Sequence, residues 1–122
     1  MDILIIDDDE KITNVLSSYL NNSHNVTVFN NPIEALEYYK INIDFDVVIT
    51  DFLMPHLRGD ELIDKILDIN LHQEFIVMSG FFQSEFIEHL KSLNYNVIMI
   101  SKPFEFKKLD KILDHFEFSI NI

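Results

Sequence analysis

The chain has 122 residues, 48% of them hydrophobic and 25% charged, with a formal net charge of −12 at pH 7 and no cysteine. That is the length of one domain with a single core, and it excludes disulfides, thiolate metal sites and cysteine nucleophiles. So acidic a surface repels nucleic-acid phosphate and acidic membrane. No apolar stretch approaches the roughly 18 residues needed to cross a bilayer, and Met1-Asp2-Ile3 puts no basic region before its apolar run, so the expected compartment is the cytoplasm.

The first strand is expected at Ile3-Leu4-Ile5-Ile6 and runs directly into Asp7 and Asp8. Glu10–Leu20 follows helical spacing through Ile12, Val15, Leu16, Tyr19 and Leu20, with Asp9 as its N-cap. Asn25–Phe29 alternates in part and reads as a second, less buried strand. Asn31-Pro32-Ile33-Glu34 then supplies a cap, a first-turn proline and an early carboxylate for the second helix. The third strand, Val47-Val48-Ile49-Thr50, ends at Asp51, and a helix from about Asp60 to Asp68 buries Leu62, Ile63, Ile66 and Leu67. Phe75-Ile76-Val77-Met78 ends at Ser79 and precedes a helix from about Ser84 to Leu93 on Phe86, Ile87, Leu90 and Leu93. Val97-Ile98-Met99-Ile100 ends close to Lys102-Pro103, and a last helix from about Glu105 to Phe116 buries Phe106, Leu109, Ile112, Leu113 and Phe116.

Strands alternating with helices predict a parallel sheet covered by helices on both faces. Strands one, three and four are nearly continuous in apolar residues, which suits burial on both sides, and strand two belongs at an edge. The expected fold is an α/β three-layer sandwich, (βα)5, with a five-stranded parallel sheet in the flavodoxin-like order 2-1-3-4-5.

In such sheets, sites form beyond the carboxyl ends of the strands. Asp7, Asp8, Asp51, Ser79 and Lys102 all fall there. Three clustered carboxylates suit Mg²⁺, a hard ion that takes oxygen ligands and keeps several waters. A strand-end carboxylate such as Asp51 can attack phosphorus and form an acyl phosphate. Lys102 would add a positive point charge and Ser79 a hydrogen bond to the phosphoryl oxygens. Blander readings exist for each: helix capping for the Asp-Asp-Asp-Glu run, an ordinary turn for Ser79-Gly80 and a solvated lysine at 102. Their joint order and spacing favour the pocket.

On these residues the whole chain resembles the CheY-like receiver domains of two-component response regulators. Ile-Leu-Ile-Ile-Asp7-Asp8 looks like the family's first strand and acidic pair. Asp51 in Asp-Phe-Leu-Met-Pro, with Gly59 eight positions on, matches its phosphoacceptor motif. Ser79-Gly80 falls on its hydroxyl position and Lys102-Pro103-Phe104 on its Lys-Pro-Phe motif. The resemblance implies one receiver domain over residues 1–122 that takes a phosphoryl group on Asp51. The donor would be a sensor histidine kinase or a histidine phosphotransfer protein. It further implies Mg²⁺ held by Asp7, Asp8, Asp51 and the backbone carbonyl of Leu53. It implies no enzyme beyond catalysis of the domain's own phosphorylation and dephosphorylation. Output would come from a shifted equilibrium on the face of helix four, strand five and helix five, read by a downstream protein and not by nucleic acid or membrane.

One position departs from the pattern. Met99 stands where the family usually carries an inward-rotating Tyr or Phe, so the coupling is expected to be softer or to use another side chain, with Phe81, Phe82 and Phe104 as candidates. Leu53 and Phe81, two residues after Asp51 and Ser79, are expected to obstruct attacking water and prolong the acyl phosphate. A stand-alone regulator is the favoured form, since only residues 117–122 follow the fifth helix, with Phe118, Ile120 and Ile122 as a packed tail or the start of a linker. The alternative is the N-terminal receiver of a longer regulator with a DNA-binding or enzymatic output domain. A haloacid-dehalogenase-like Mg²⁺ phosphatase is a remote alternative, because Leu53 stands where its second acid belongs. A flavodoxin-type module is improbable with two glycines in the chain.

Overall fold

The computed structural model describes residues 1–80, 84–93 and 97–120, with the side chains of all of these except 85, 93, 119 and 120. Five strands alternate with five helices: β1 (Asp2–Ile6), α1 (Glu10–Leu20), β2 (Asn25–Phe29), α2 (Pro32–Ile41), β3 (Val47–Asp51), α3 (Gly59–Ile69), β4 (Glu74–Ser79), α4 (Ser84–Leu93), β5 (Val97–Ser101) and α5 (Phe106–Ile120). The strands form one sheet in the order β2-β1-β3-β4-β5, and every neighbouring pair is parallel. The α/β sandwich and the edge position of β2 are as the hydrophobic pattern predicts. No residue of β2 is fully buried, whereas all of β3 is.

Successive strand side chains point to opposite faces of the sheet, and the apolar runs divide accordingly. Ile3, Ile5, Val47, Ile49, Ile76, Met78 and Ile100 join α1 and α5 in one core. Leu4, Ile6, Val48, Phe75 and Val77 join α2, α3 and α4 in the other. Unbroken Val/Ile/Leu runs are what two-sided burial demands.

Capping sets where the helices begin. Asp9 accepts the Lys11 N–H at 2.9 Å, and Asn31 accepts those of Ile33 and Glu34, with Pro32 in the first turn of α2. On α1 the buried face differs from the expected one by one residue. Val15 is 55% exposed and Thr13 is buried. Thr13 satisfies its hydroxyl by donating to the Glu10 carbonyl and accepting from Asn30 Nδ2. The fifth helix also runs further than expected, through Ile120, and leaves Phe118 68% exposed, so that residue is not a packed tail. The expected roles of Phe81, Phe82, Leu93, Ile120 and Ile122 fall outside the described residues or side chains.

Candidate functional site

β1, β3, β4 and β5 end together, and parallel register brings their last residues to one edge. Asp51 pairs with Met78 and Ser79 with Ser101. Two backbone bonds stitch the next residues in place. The Phe52 N–H donates to the Met78 carbonyl at 2.8 Å, and the Lys102 N–H donates to the Ser79 carbonyl at 2.7 Å. Asp7 leaves β1 with its N–H on the Phe29 carbonyl of the edge strand.

The side chains of this edge converge. Lys102 Nζ lies 2.9 Å from Asp51 Oδ1 and 3.1 Å from Asp7 Oδ2. Asp7 and Asp51 are buried and Asp8 is exposed. One oxygen from each of the three carboxylates lies within 4.8 Å of the others. Ser79 is buried at the end of β4. Leu53 is 60% exposed in the loop after β3. Asp7, Asp8, Asp51, Ser79 and Lys102 therefore occupy one strand-end edge, with Asp8 on its open side.

Burial dominates the electrostatics. It pushes the Asp51 carboxyl above the ordinary carboxylate range; the Lys102 hydrogen bond works against that rise and the Asp7 charge adds to it. Burial likewise raises Asp7, opposed by the Asp9 N–H and by Lys102 and helped by the Asp8 charge. Burial also penalises the Lys102 ammonium, yet its bonds to Asp51 and Asp7 win and hold it above the usual lysine value. Three carboxylates facing one ammonium leave an excess of negative charge. A divalent cation with hard oxygen ligands fits that donor set, with Asp7, Asp8 and Asp51 as its holders.

Several supports escape a reading of sequence. Asn30 Nδ2 donates to the Asp7 carbonyl at 2.8 Å and to Thr13 at 2.9 Å, tying the end of β1 to β2 and α1. The available signal was an amide at a strand end on the same edge as the pocket. Gly59 is required by close approach, since a Cβ there would stand 2.5 Å from the Asp51 carbonyl oxygen and 2.9 Å from Phe52 Cα. Its N–H closes the loop onto the Phe52 carbonyl at 2.7 Å. Arg58 caps α3 from outside, with its guanidinium on both oxygens of buried Asp60 at 2.9 and 3.2 Å. The Lys102–Pro103 peptide bond is cis.

Comparison with known proteins places this geometry in a family. Transcriptional regulatory protein ZraR of Klebsiella oxytoca is 31% identical over 117 residues, which is 93% of this chain and 25% of that protein. The 3',5'-cyclic-nucleotide phosphodiesterase regA of Dictyostelium discoideum is 39% identical over 82 residues, 64% of this chain and 10% of that one. The chain thus spans at most a quarter of the length of these two relatives. Among solved structures, the N-terminal domain of an uncharacterized protein from Wolinella succinogenes matches with a TM-score of 0.87 at 28% identity, covering 97% of this chain and 94% of that one. Chemotaxis protein CheY4 of Vibrio cholerae shares the fold, with a TM-score of 0.84 at 23% identity over 94% of this chain and 97% of that one. The family model described as the response regulator receiver domain matches residues 3–114, from β1 into α5. On that match, this chain belongs to the response regulator receiver domain family of two-component signalling.

Proposed function

We propose that Asp51 is the phosphoacceptor of a His-Asp phosphorelay, and that residues 1–122 form one receiver domain acting through protein contact. The observation that carries this reading is the position of Lys102 Nζ between Asp51 and Asp7, with Asp8 beside them. In the transfer, an Asp51 carboxylate oxygen attacks the phosphorus of a phosphohistidine on a sensor kinase or a histidine phosphotransfer protein. The new P–O bond forms as the P–N bond breaks. The electron pair of the broken bond leaves with the imidazole nitrogen, which takes a proton from water.

Asp7, Asp8, Asp51 and the Leu53 carbonyl are the proposed Mg²⁺ ligands. When bound, the ion supplies charge neutralisation at the phosphoryl oxygens. The chain's own groups do the rest. Lys102 releases one contact to Asp51 and turns its ammonium to a phosphoryl oxygen while keeping Asp7. Ser79 donates a hydrogen bond to another of those oxygens. Asn30 and the Asp9 N–H keep the Asp7 end of the pocket in place. Burial makes the charge on Asp51 costly, and the Lys102 ammonium or a bound cation offsets that cost. Hydrolysis is the reverse logic, with water attacking phosphorus and Asp51 leaving.

Output follows from a shifted equilibrium on the face of α4, β5 and α5, recognised by a downstream protein partner. That holds for a stand-alone regulator and for the receiver of a longer one. Beryllofluoride, a mimic of the phosphoryl group, tests the reading. With Mg²⁺ present, ¹⁹F NMR should show bound-fluoride resonances in the wild-type protein that are lost in Asp51→Asn. Equal binding by the variant would remove Asp51 from the role.

A further inference from the structure

The family's usual aromatic is replaced by Met99, so the path from the phosphoacceptor edge to the output face has to be sought elsewhere. Phe104, one sequence-level candidate, packs against the core under α1 and α5. Met99 and Phe86 pack against the other core, under α2, α3 and α4. Phe104 therefore lies on the wrong side of the sheet to fill a gap beside Met99.

Phe86 of α4 is in contact with two groups rooted at the phosphoacceptor edge. The Phe52 ring, from the residue after Asp51, meets it at a centroid distance of 5.0 Å and a tilt of 59°. The Arg58 guanidinium stands over it at 4.7 Å. Both groups are anchored. Phe52 is 1% exposed, and its backbone is held on both sides by Met78 and Gly59. Arg58 is held by its fork onto Asp60. A tilted aromatic pair and a guanidinium over a ring are both directional contacts with defined geometry. An unbranched thioether offers no such orientation. A second tie, His89 Nε2 to Asp64 Oδ2 at 3.1 Å, joins α4 to α3 further along.

We infer that Phe52, Phe86 and Arg58 form the relay that couples Asp51 to α4, in place of residue 99. The inference rests on the reading of Asp51 as phosphoacceptor. A displacement of the backbone at Asp51 passes to Phe52 through one peptide unit. In a close-packed interior it moves the ring against Phe86 or breaks the contact. Because Arg58 opens α3 and Phe86 belongs to α4, the same event shifts α4 relative to α3. Phe86 and Arg58 are positioning residues here; neither touches the phosphoryl group.

Amide hydrogen exchange of residues 84–93, with and without beryllofluoride and Mg²⁺, reads the relay, and ¹⁹F NMR reads occupancy of Asp51 separately. In the wild type, occupancy should change exchange in α4 by about threefold or more, the population change that one aromatic contact can carry. Phe86→Leu, which keeps apolar volume but loses the ring, should bind beryllofluoride and lose that response. Met99→Leu should bind and keep it. Arg58→Lys retains the charge and loses the fork and the stacking; it should weaken the response in the same direction, and serves as the test if Phe86→Leu does not fold. A full α4 response in Phe86→Leu or Arg58→Lys, or its loss in Met99→Leu, would overturn the relay. Bound beryllofluoride without any α4 response in the wild type would also overturn it and leave the phosphoacceptor reading standing. Absence of bound beryllofluoride in the wild type would overturn both.

Discussion

Gly59→Ala probes how the phosphoacceptor edge is held. A Cβ at this position would lie 2.5 Å from the Asp51 carbonyl oxygen and 2.9 Å from Phe52 Cα. Both are backbone atoms, so no rotamer change can make room. Overpacking typically costs about 1–3 kcal/mol, and a clash with backbone belongs near the top of that range. The gain in helix propensity on replacing glycine is at most about 1 kcal/mol, and less in a first turn. The net loss is then about 2 kcal/mol. With an unfolding entropy of roughly 2.1 cal/mol/K per residue over 122 residues, that loss lowers Tm by about 8 °C. Thermal unfolding followed by circular dichroism measures it. Gly80→Ala is the matched control, because among the described residues nothing lies within 4 Å of its added Cβ. It should change stability by no more than about 0.5 kcal/mol. Equal Tm values for the two variants would refute the steric argument for Gly59.

Other expectations follow from the same geometry. Burial raises the Glu74 and Asp51 carboxyls above their ordinary values of 4.5 and 3.8. A raised carboxyl contributes stability that is fully present below its unfolded pKa and lost as pH rises through its folded pKa. In chelator, Glu74→Gln and Asp51→Asn should therefore each unfold at a higher temperature than wild type at pH 7, with the advantage gone in acid below those unfolded values; an advantage that persists there would contradict the sign. Lys102→Met leaves Asp7 and Asp51 buried without their ammonium and should cost about 3 kcal/mol in chelator. Added Mg²⁺ should recover part of that loss, and equal Tm shifts with and without the ion would contradict the shared-pocket account. Exchanging Leu53 and Phe81 together for small polar residues should speed loss of the phosphoryl group, and an unchanged decay would remove the proposed obstruction of water.

Much of the fold was legible because two-sided burial leaves a simple mark. The runs Ile3–Ile6 and Val47–Thr50 cannot be surface strands, and the partial alternation of Asn25–Phe29 put β2 at the edge where the sheet has it. The pocket was legible for the same reason, since each of its residues stands where such a run stops. What stayed hidden depends on contacts between distant residues. Thr13 replaces Val15 on the buried face because Asn30, 17 positions away, satisfies its hydroxyl. Gly59 stands out in the sequence as part of the Asp51 motif, but its physical reason, the Asp51 carbonyl beside it, shows only in the fold. The Phe52–Phe86 contact joins a loop to a helix that periodicity alone would assign only to the general core. The extension of α5 to Ile120 is poorly marked in the sequence, because after Phe116 the apolar spacing of Leu109, Ile112, Leu113 and Phe116 gives way to Glu117, an off-stripe Phe118 and Ser119.

The central claim is that Asp51 carries the phosphoryl group, and intact mass tests it most directly. The protein is incubated with acetyl phosphate and Mg²⁺, alongside Asp51→Asn and a sample given chelator first. The account predicts one phosphoryl adduct in the wild type and none in either control. An adduct of equal yield in Asp51→Asn, or none in the wild type under these conditions, would contradict it.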